Sequence, residues 1–90
     1  MSKVSCKHIL VEQEFEANDL VKKLAEGQTF ESLAQSFSNC PSGDQGGDLG
    51  AFGKGMMVKP FEEAAFKLNV GETSGPVRTQ FGYHLIYRYA

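Results

Sequence analysis

Gly46-Gly47-Asp48-Leu49-Gly50-Ala51-Phe52, followed two residues later by Gly55-Met56-Met57-Val58-Lys59-Pro60-Phe61-Glu62-Glu63-Ala64-Ala65-Phe66, decides the fold of this 90-residue chain. The first half is loop. Six of the ten glycines fall between Asn39 and Gly55 together with Pro41, Ser42 and Asp44, which predicts a long structured loop with a short strand at Leu49–Phe52. Loops of that length inside compact domains usually carry function. The second half is helix. Pro60 suits a first helical position, Glu62 and Glu63 face the positive end of the helix dipole, and Phe61, Ala64, Ala65 and Leu68 keep the 3.6-residue period.

Working outward, residues 3–11 read as a strand, with Val4, Cys6, His8 and Leu10 on one face and Ile9 and Val11 on the other. An acidic stretch (Glu12, Glu14, Glu16, Asp19) leads into a helix carrying Ala17, Leu20, Val21 and Leu24, with Gly27 placed to end it in a left-handed conformation. Phe30, Leu33, Ala34 and Phe37 give a second helix, with Thr29 as its N-cap. Beyond the third helix, Val70–Gly75 reads as a turn. Two strands, about Pro76–Gln80 and Tyr83–Tyr89, form a hairpin through Phe81-Gly82. The order β-α-α-(β)-α-β-β defines an α+β domain, an antiparallel sheet carrying three short helices, and one domain spanning residues 1–90.

Composition narrows the function. A net charge of −2 and a pI near 5.6 argue against nucleic acid as the main partner, because phosphate binding needs a basic patch. No apolar run reaches the roughly 20 residues that span a bilayer, and Met1-Ser2-Lys3-Val4 has no apolar leader segment. Cys6 and Cys40 cannot build a disulfide framework. They read as free thiols, so a cytoplasmic location is the expectation, and a monomer is the simplest oligomeric state.

Taken singly, the reactive side chains say little. His8 and His84 lie in the first and last strands, and pairing of those strands at the middle of the sheet would bring the two imidazoles together. A lone strand histidine, however, is ordinarily a hydrogen-bonded packing residue, a lone Cys40 an inert small hydrophobe, and Thr79 a normal strand residue. Met57 and Phe61, four apart around a helix start, would ordinarily be core. Cys6, His8, Cys40 and His84 have the ligand types of a zinc site but lack its short paired spacings.

Together the motifs are specific. Cys6-Lys7-His8-Ile9-Leu10-Val11 resembles the opening strand of the parvulins, a family of peptidyl-prolyl cis/trans isomerases. Ser38-Asn39-Cys40-Pro41-Ser42 with Gly46 to Phe52 resembles their active-site loop, and Gly55 to Phe66 their third helix. Gly71-Glu72 to Gly75-Pro76-Val77 and Phe81-Gly82-Tyr83-His84-Leu85-Ile86 resemble their closing hairpin. The resemblance covers nearly the whole chain in order. It implies a four-stranded antiparallel sheet surrounded by short helices, with His8 and His84 as hydrogen-bonded paired histidines and Thr79 orienting one ring. It also implies Cys40 beside the rotating bond, Leu49, Met57 and Phe61 as walls of a proline pocket, and Phe81 extending its rim.

Such a site needs no nucleophile, metal or cofactor. Rotation about X–Pro is slow because the planar amide has double-bond character, and an enzyme need only bind the twisted form more tightly. The implied partners are proline-containing peptides and unfolded or partly folded proteins. Where phosphate-directed members of the family carry Lys and Arg after the first strand, this chain has Glu12-Gln13-Glu14-Phe15-Glu16, which would repel a phosphate. An apolar or basic residue before the proline is therefore expected. Two rival readings are a proline-binding module without turnover and a thiol enzyme using Cys40 with a histidine base.

Overall fold

Alternating side-chain character along β1 (Lys3–Val11) organises the molecule, because the strand sits inside the sheet with both faces covered. The structure, a computed structural model, describes residues 2–90. Strand order is β2-β1-β4-β3, all neighbours antiparallel, with β2 at Asp48–Gly53, β3 at Val77–Thr79 and β4 at Gly82–Arg88. The first and last strands are thus central neighbours, the pairing on which the histidine hypothesis depended. Helices α1 (Glu14–Ala25), α2 (Phe30–Phe37) and α3 (Lys59–Lys67) complete the α+β fold.

The period-2 alternation of β1 sorts the core into two clusters. Ile9 and Val11 join Leu85 of β4 and meet Ala17, Leu20, Phe30, Leu33 and Ala34 from α1 and α2. Val4 and Cys6 join Phe52 and Ile86 and meet Phe61 and Ala65 from α3. Two members of the expected helix stripes escape this burial. Val21 and Phe37 are respectively 38% and 47% exposed.

Local chemistry sets the ends of the elements. Glu16 accepts the N–H of Gln13 at 3.0 Å, so α1 starts within the acidic stretch, three residues before the first apolar position. Gly27 closes α1 at φ +102°, and the Gln28 N–H returns to the Lys23 carbonyl at 3.1 Å. Thr29 caps α2 by accepting from the Ser32 N–H at 3.2 Å. α3 begins at Lys59, one residue ahead of Pro60, which therefore holds the second helical position. The final hairpin turns through Gln80-Phe81, with Thr79 paired to Gly82, one residue earlier than the sequence suggests. A 3₁₀ turn at Pro41–Gln45 orders the glycine-rich loop, a feature the sequence reading left as loop.

Candidate functional site

Register places the histidines. His8 lies opposite Ile86 and Leu10 opposite His84, so the two imidazoles are diagonal neighbours on the α3 face of β1 and β4. Their rings stack at 5.3 Å between centroids, 19° from parallel, and the edge of Phe61 meets both at 5.6 and 5.2 Å. The two Nδ1 atoms are 3.1 Å apart and form a hydrogen bond. Burial lowers the pKa of His8 to about 4, assisted by His84, and burial likewise lowers that of His84. Both rings are therefore neutral near pH 7.

A chain of hydrogen bonds runs through the pair. The Phe81 N–H donates to Thr79 Oγ1 at 3.2 Å, and Thr79 Oγ1 lies 2.8 Å from His84 Nε2. On the far side, His8 Nε2 lies 3.1 Å from Ser42 Oγ, which donates to Cys40 Sγ at 3.3 Å. Neutral imidazole has one N–H, and the tautomers that satisfy every donor put protons on His84 Nδ1 and His8 Nε2. Thr79 then donates to His84, His84 to His8, His8 to Ser42, and Ser42 to the Cys40 sulfur. The reverse order leaves the Thr79 hydroxyl proton with no acceptor.

These groups end at an open apolar cleft of about 370 Å³. Leu49, Met57, Phe61 and Phe81 line it with His8, Cys40 and His84, so seven of the eight residues singled out from the sequence come together. The eighth, Thr79, does not line the cleft. It is buried behind His84 and reaches the site through that ring and through the Phe81 N–H. Leu10, Met56 and Val58 also contribute walls, and Ser42 joins the polar chain; sequence reasoning missed all four. For Leu10 the signal was available, since it shares a strand face with His8. No Lys, Arg, Asp or Glu lines the cleft.

Backbone packing fixes the loop on the strand. Gly47 accepts the His8 N–H at 2.9 Å with φ +84°, and any Cβ at Gly47 would overlap the His8 carbonyl oxygen. Ser38 Oγ accepts both the Leu10 N–H at 3.1 Å and the Cys40 N–H at 3.3 Å, which seats Cys40 over the strand. Cys6, the other free thiol, is wholly buried on the α3 face, and burial pushes its pKa up to about 11 against the opposing pull of Arg88.

A sheet with α1 and α2 on one face and α3 beside a paired-histidine cleft on the other defines a parvulin-type peptidyl-prolyl isomerase domain. Residues 6–90 match the Rotamase family, described as the PPIC-type PPIase domain, and the chain belongs to that family. It is 53% identical over 85 residues to the foldase protein PrsA of Geobacillus kaustophilus, covering 93% of this chain and 30% of that protein. This chain thus spans under a third of that relative's length. The solution structure of NmPin, the parvulin of Nitrosopumilus maritimus, matches with a TM-score of 0.89 at 49% identity, covering 100% of this chain and 98% of NmPin. The crystal structure of PrsA from Bacillus anthracis matches with a TM-score of 0.96 at 44% identity, over 98% of this chain and 41% of that one.

Proposed function

We propose that the protein accelerates cis/trans rotation of X–Pro bonds in unfolded or partly folded proteins by non-covalent stabilisation of the twisted amide. The observation that carries this reading is an apolar cleft, free of charged side chains, that ends on two neutral histidines hydrogen-bonded to each other. In the planar amide, resonance places negative charge on the carbonyl oxygen and positive charge on the proline nitrogen. Twisting removes both, so an apolar site around Leu49, Met57, Phe61 and Phe81 favours the twisted form over the planar one. The barrier is about 18–20 kcal/mol, and preferential binding of the twisted amide by about 5–6 kcal/mol gives roughly 10⁴-fold acceleration.

Cys40, His8 and His84 face the bond and shape the field at its carbonyl, while Thr79 acts on the site by holding the His84 ring. Rotation of the amide transfers no proton, so the imidazoles shape and stiffen the site, and the rate is expected to stay flat from about pH 6 to 8. The residue before proline is apolar or basic and not phosphorylated, because Glu12 after β1 and Glu14 and Glu16 in the first turn of α1 would repel a phosphate. A monomer that needs no cofactor completes the proposal. The cytoplasmic location, which rests on the two thiols, is checked by cell fractionation.

Exchange of an Ala-Leu-Pro-Phe peptide between cis and trans, followed by NMR with catalytic protein, tests the activity. Accelerated exchange that falls in Met57→Ala supports it. Binding with no acceleration would replace it by a proline-binding module, and faster turnover of a phosphorylated peptide would overturn the substrate preference.

A further inference from the structure

Leu10 and Val11 are consecutive on β1 and face opposite sides of the sheet. Leu10 walls the cleft, whereas Val11 floors a second hollow of about 350 Å³ between α1 and the end of α2. Leu20 completes the floor, Phe15 and Phe37 form the sides, and Glu16 and Asp19 stand on the rim. Phe15 is 72% exposed and Phe37 47%, so two aromatic rings are left in water around an apolar depression. The two hollows share a seam. Phe37 stands three residues before Cys40, and the Asn39 N–H between them is tied to the Leu10 carbonyl at 2.8 Å.

Charge is graded along this side. Glu12, Glu14, Glu16 and Asp19 surround the start of α1, and Lys22 and Lys23 its later turns. Lys23 is already engaged, 3.8 Å from Asp19 and 5.9 Å from the Phe37 ring centre. Lys22 flanks Phe15 and Asp19 on the far side of the helix, and Asp19 is the partner of Lys23, so the acidic end of the surface is the start of α1, at Glu12, Glu14 and Glu16.

We infer that this hollow is a second docking surface for the client chain, taking an aromatic or large apolar side chain flanked by Lys or Arg at some distance from the bound proline. The inference rests on the isomerase reading. An apolar anchor fits between Phe15 and Phe37 over Val11 and Leu20, and a neighbouring cation meets Glu16 and the first-turn acids. Extended chain advances about 3.3 Å per residue, so six residues span about 20 Å, close to the shortest extent of the molecule, 21 Å. Tethering turns a weak second contact into an intramolecular one, which lowers KM and leaves the bond rotation itself unchanged.

The test compares three peptides under NMR exchange: Ala-Leu-Pro-Phe alone, the same unit joined through six Gly/Ser residues to Lys-Phe-Lys, and the same linker ending in Glu-Ala-Glu. The expected result is a KM about five- to tenfold lower for the Lys-Phe-Lys peptide at unchanged kcat, with most of the gain lost in about 0.5 M salt. Phe15→Ser and Asp19→Lys each abolish the gain and leave turnover of the short peptide unaltered. Equal KM for all three peptides, or a gain that survives both substitutions, overturns the proposal. So does self-association of the protein through Phe15, which would assign the surface to a second copy. Turnover of the short peptide reports separately on the isomerase. If no peptide is turned over, a Lys-Phe-Lys segment without proline decides the docking by whether it shifts the Phe15 and Phe37 signals.

Discussion

On one side of the sheet, Ile9 and Leu85 are sealed under two helices; on the other, His8, Leu10 and His84 end in an open cleft. The same two strands supply both surfaces, so the difference lies in the cover. Helices α1 and α2 together offer 20 residues, about 30 Å of helix, to lay over strands of similar length. The other face has only α3, whose nine residues make about 14 Å. It covers Val4, Cys6 and Ile86, and its first turn puts Phe61 against the histidines, leaving the rest of that face to loops. Apolar residues close the covered half, whereas the half beside the cleft holds two rings hydrogen-bonded to each other, to Ser42 of the glycine-rich loop and to Thr79 at the end of β3. A functional cleft thus arises where the helical layer runs out.

This contrast makes separable predictions. Leu33→Ala on the sealed face should cost about 2–5 kcal/mol of unfolding free energy in urea titrations, with kcat/KM per folded molecule unchanged. Loss of turnover in the folded fraction would mean that the two faces are coupled. Met57→Ala in the cleft should do the reverse, since this side chain is only partly buried. It is expected to lower kcat/KM at least tenfold, about 1.4 kcal/mol of transition-state stabilisation, and to shift the urea midpoint little.

Ser42→Ala sharpens the account of the polar chain. Without the hydroxyl that takes the His8 Nε2 proton, the tautomer order loses its anchor at the Cys40 end. Imidazole ¹⁵N spectra should show His8 moving toward the Nδ1–H form, with a several-fold fall in kcat and little change in KM. An unchanged spectrum would mean that Thr79 alone sets the order.

The last prediction concerns pH. His8 is held neutral with a pKa of about 4, against 6.5 when unperturbed. Between those values the unfolded chain binds a proton that the folded chain refuses, so stability falls as pH drops from 6.5 toward 4 and is insensitive to this group above that window. The carboxylates Glu31 and Asp48, held below their ordinary pKa by Lys7 and Tyr89 respectively, act mainly at lower pH. Urea midpoints between pH 7 and 4.5 should therefore decline less in His8→Asn than in the parent. Equal slopes would place the titration elsewhere.

Particular residues show how much could be read in advance. His8 and His84 were legible as a pair through the parvulin resemblance, since periodicity gave the face of His8 alone and the meeting of the terminal strands was a hypothesis that the register bears out. Leu49, Met57, Phe61 and Phe81 were legible only as parts of motifs, since a helix period cannot tell a pocket wall from core. Ser42 was not legible: a serine after proline in a glycine-rich loop reads as a turn residue, and its partner lies 34 positions away. Thr79 was recognised, but its place behind His84 depends on the hairpin geometry. The exposure of Phe37 was hidden by a helix pattern that predicts burial from period alone.

The sequence by itself determined the helices, the strands and their faces, because caps, turn glycines and apolar spacing act over a few residues. It also fixed the neutral, uncharged character of the residues that would meet near the histidines. Tertiary structure decided the central pairing of β1 with β4, the diagonal placement of the imidazoles and the direction of the hydrogen bonds through them. Those depend on register and on loops folded back from distant positions, and a hydrogen bond across 76 residues leaves no local trace in the chain that makes it.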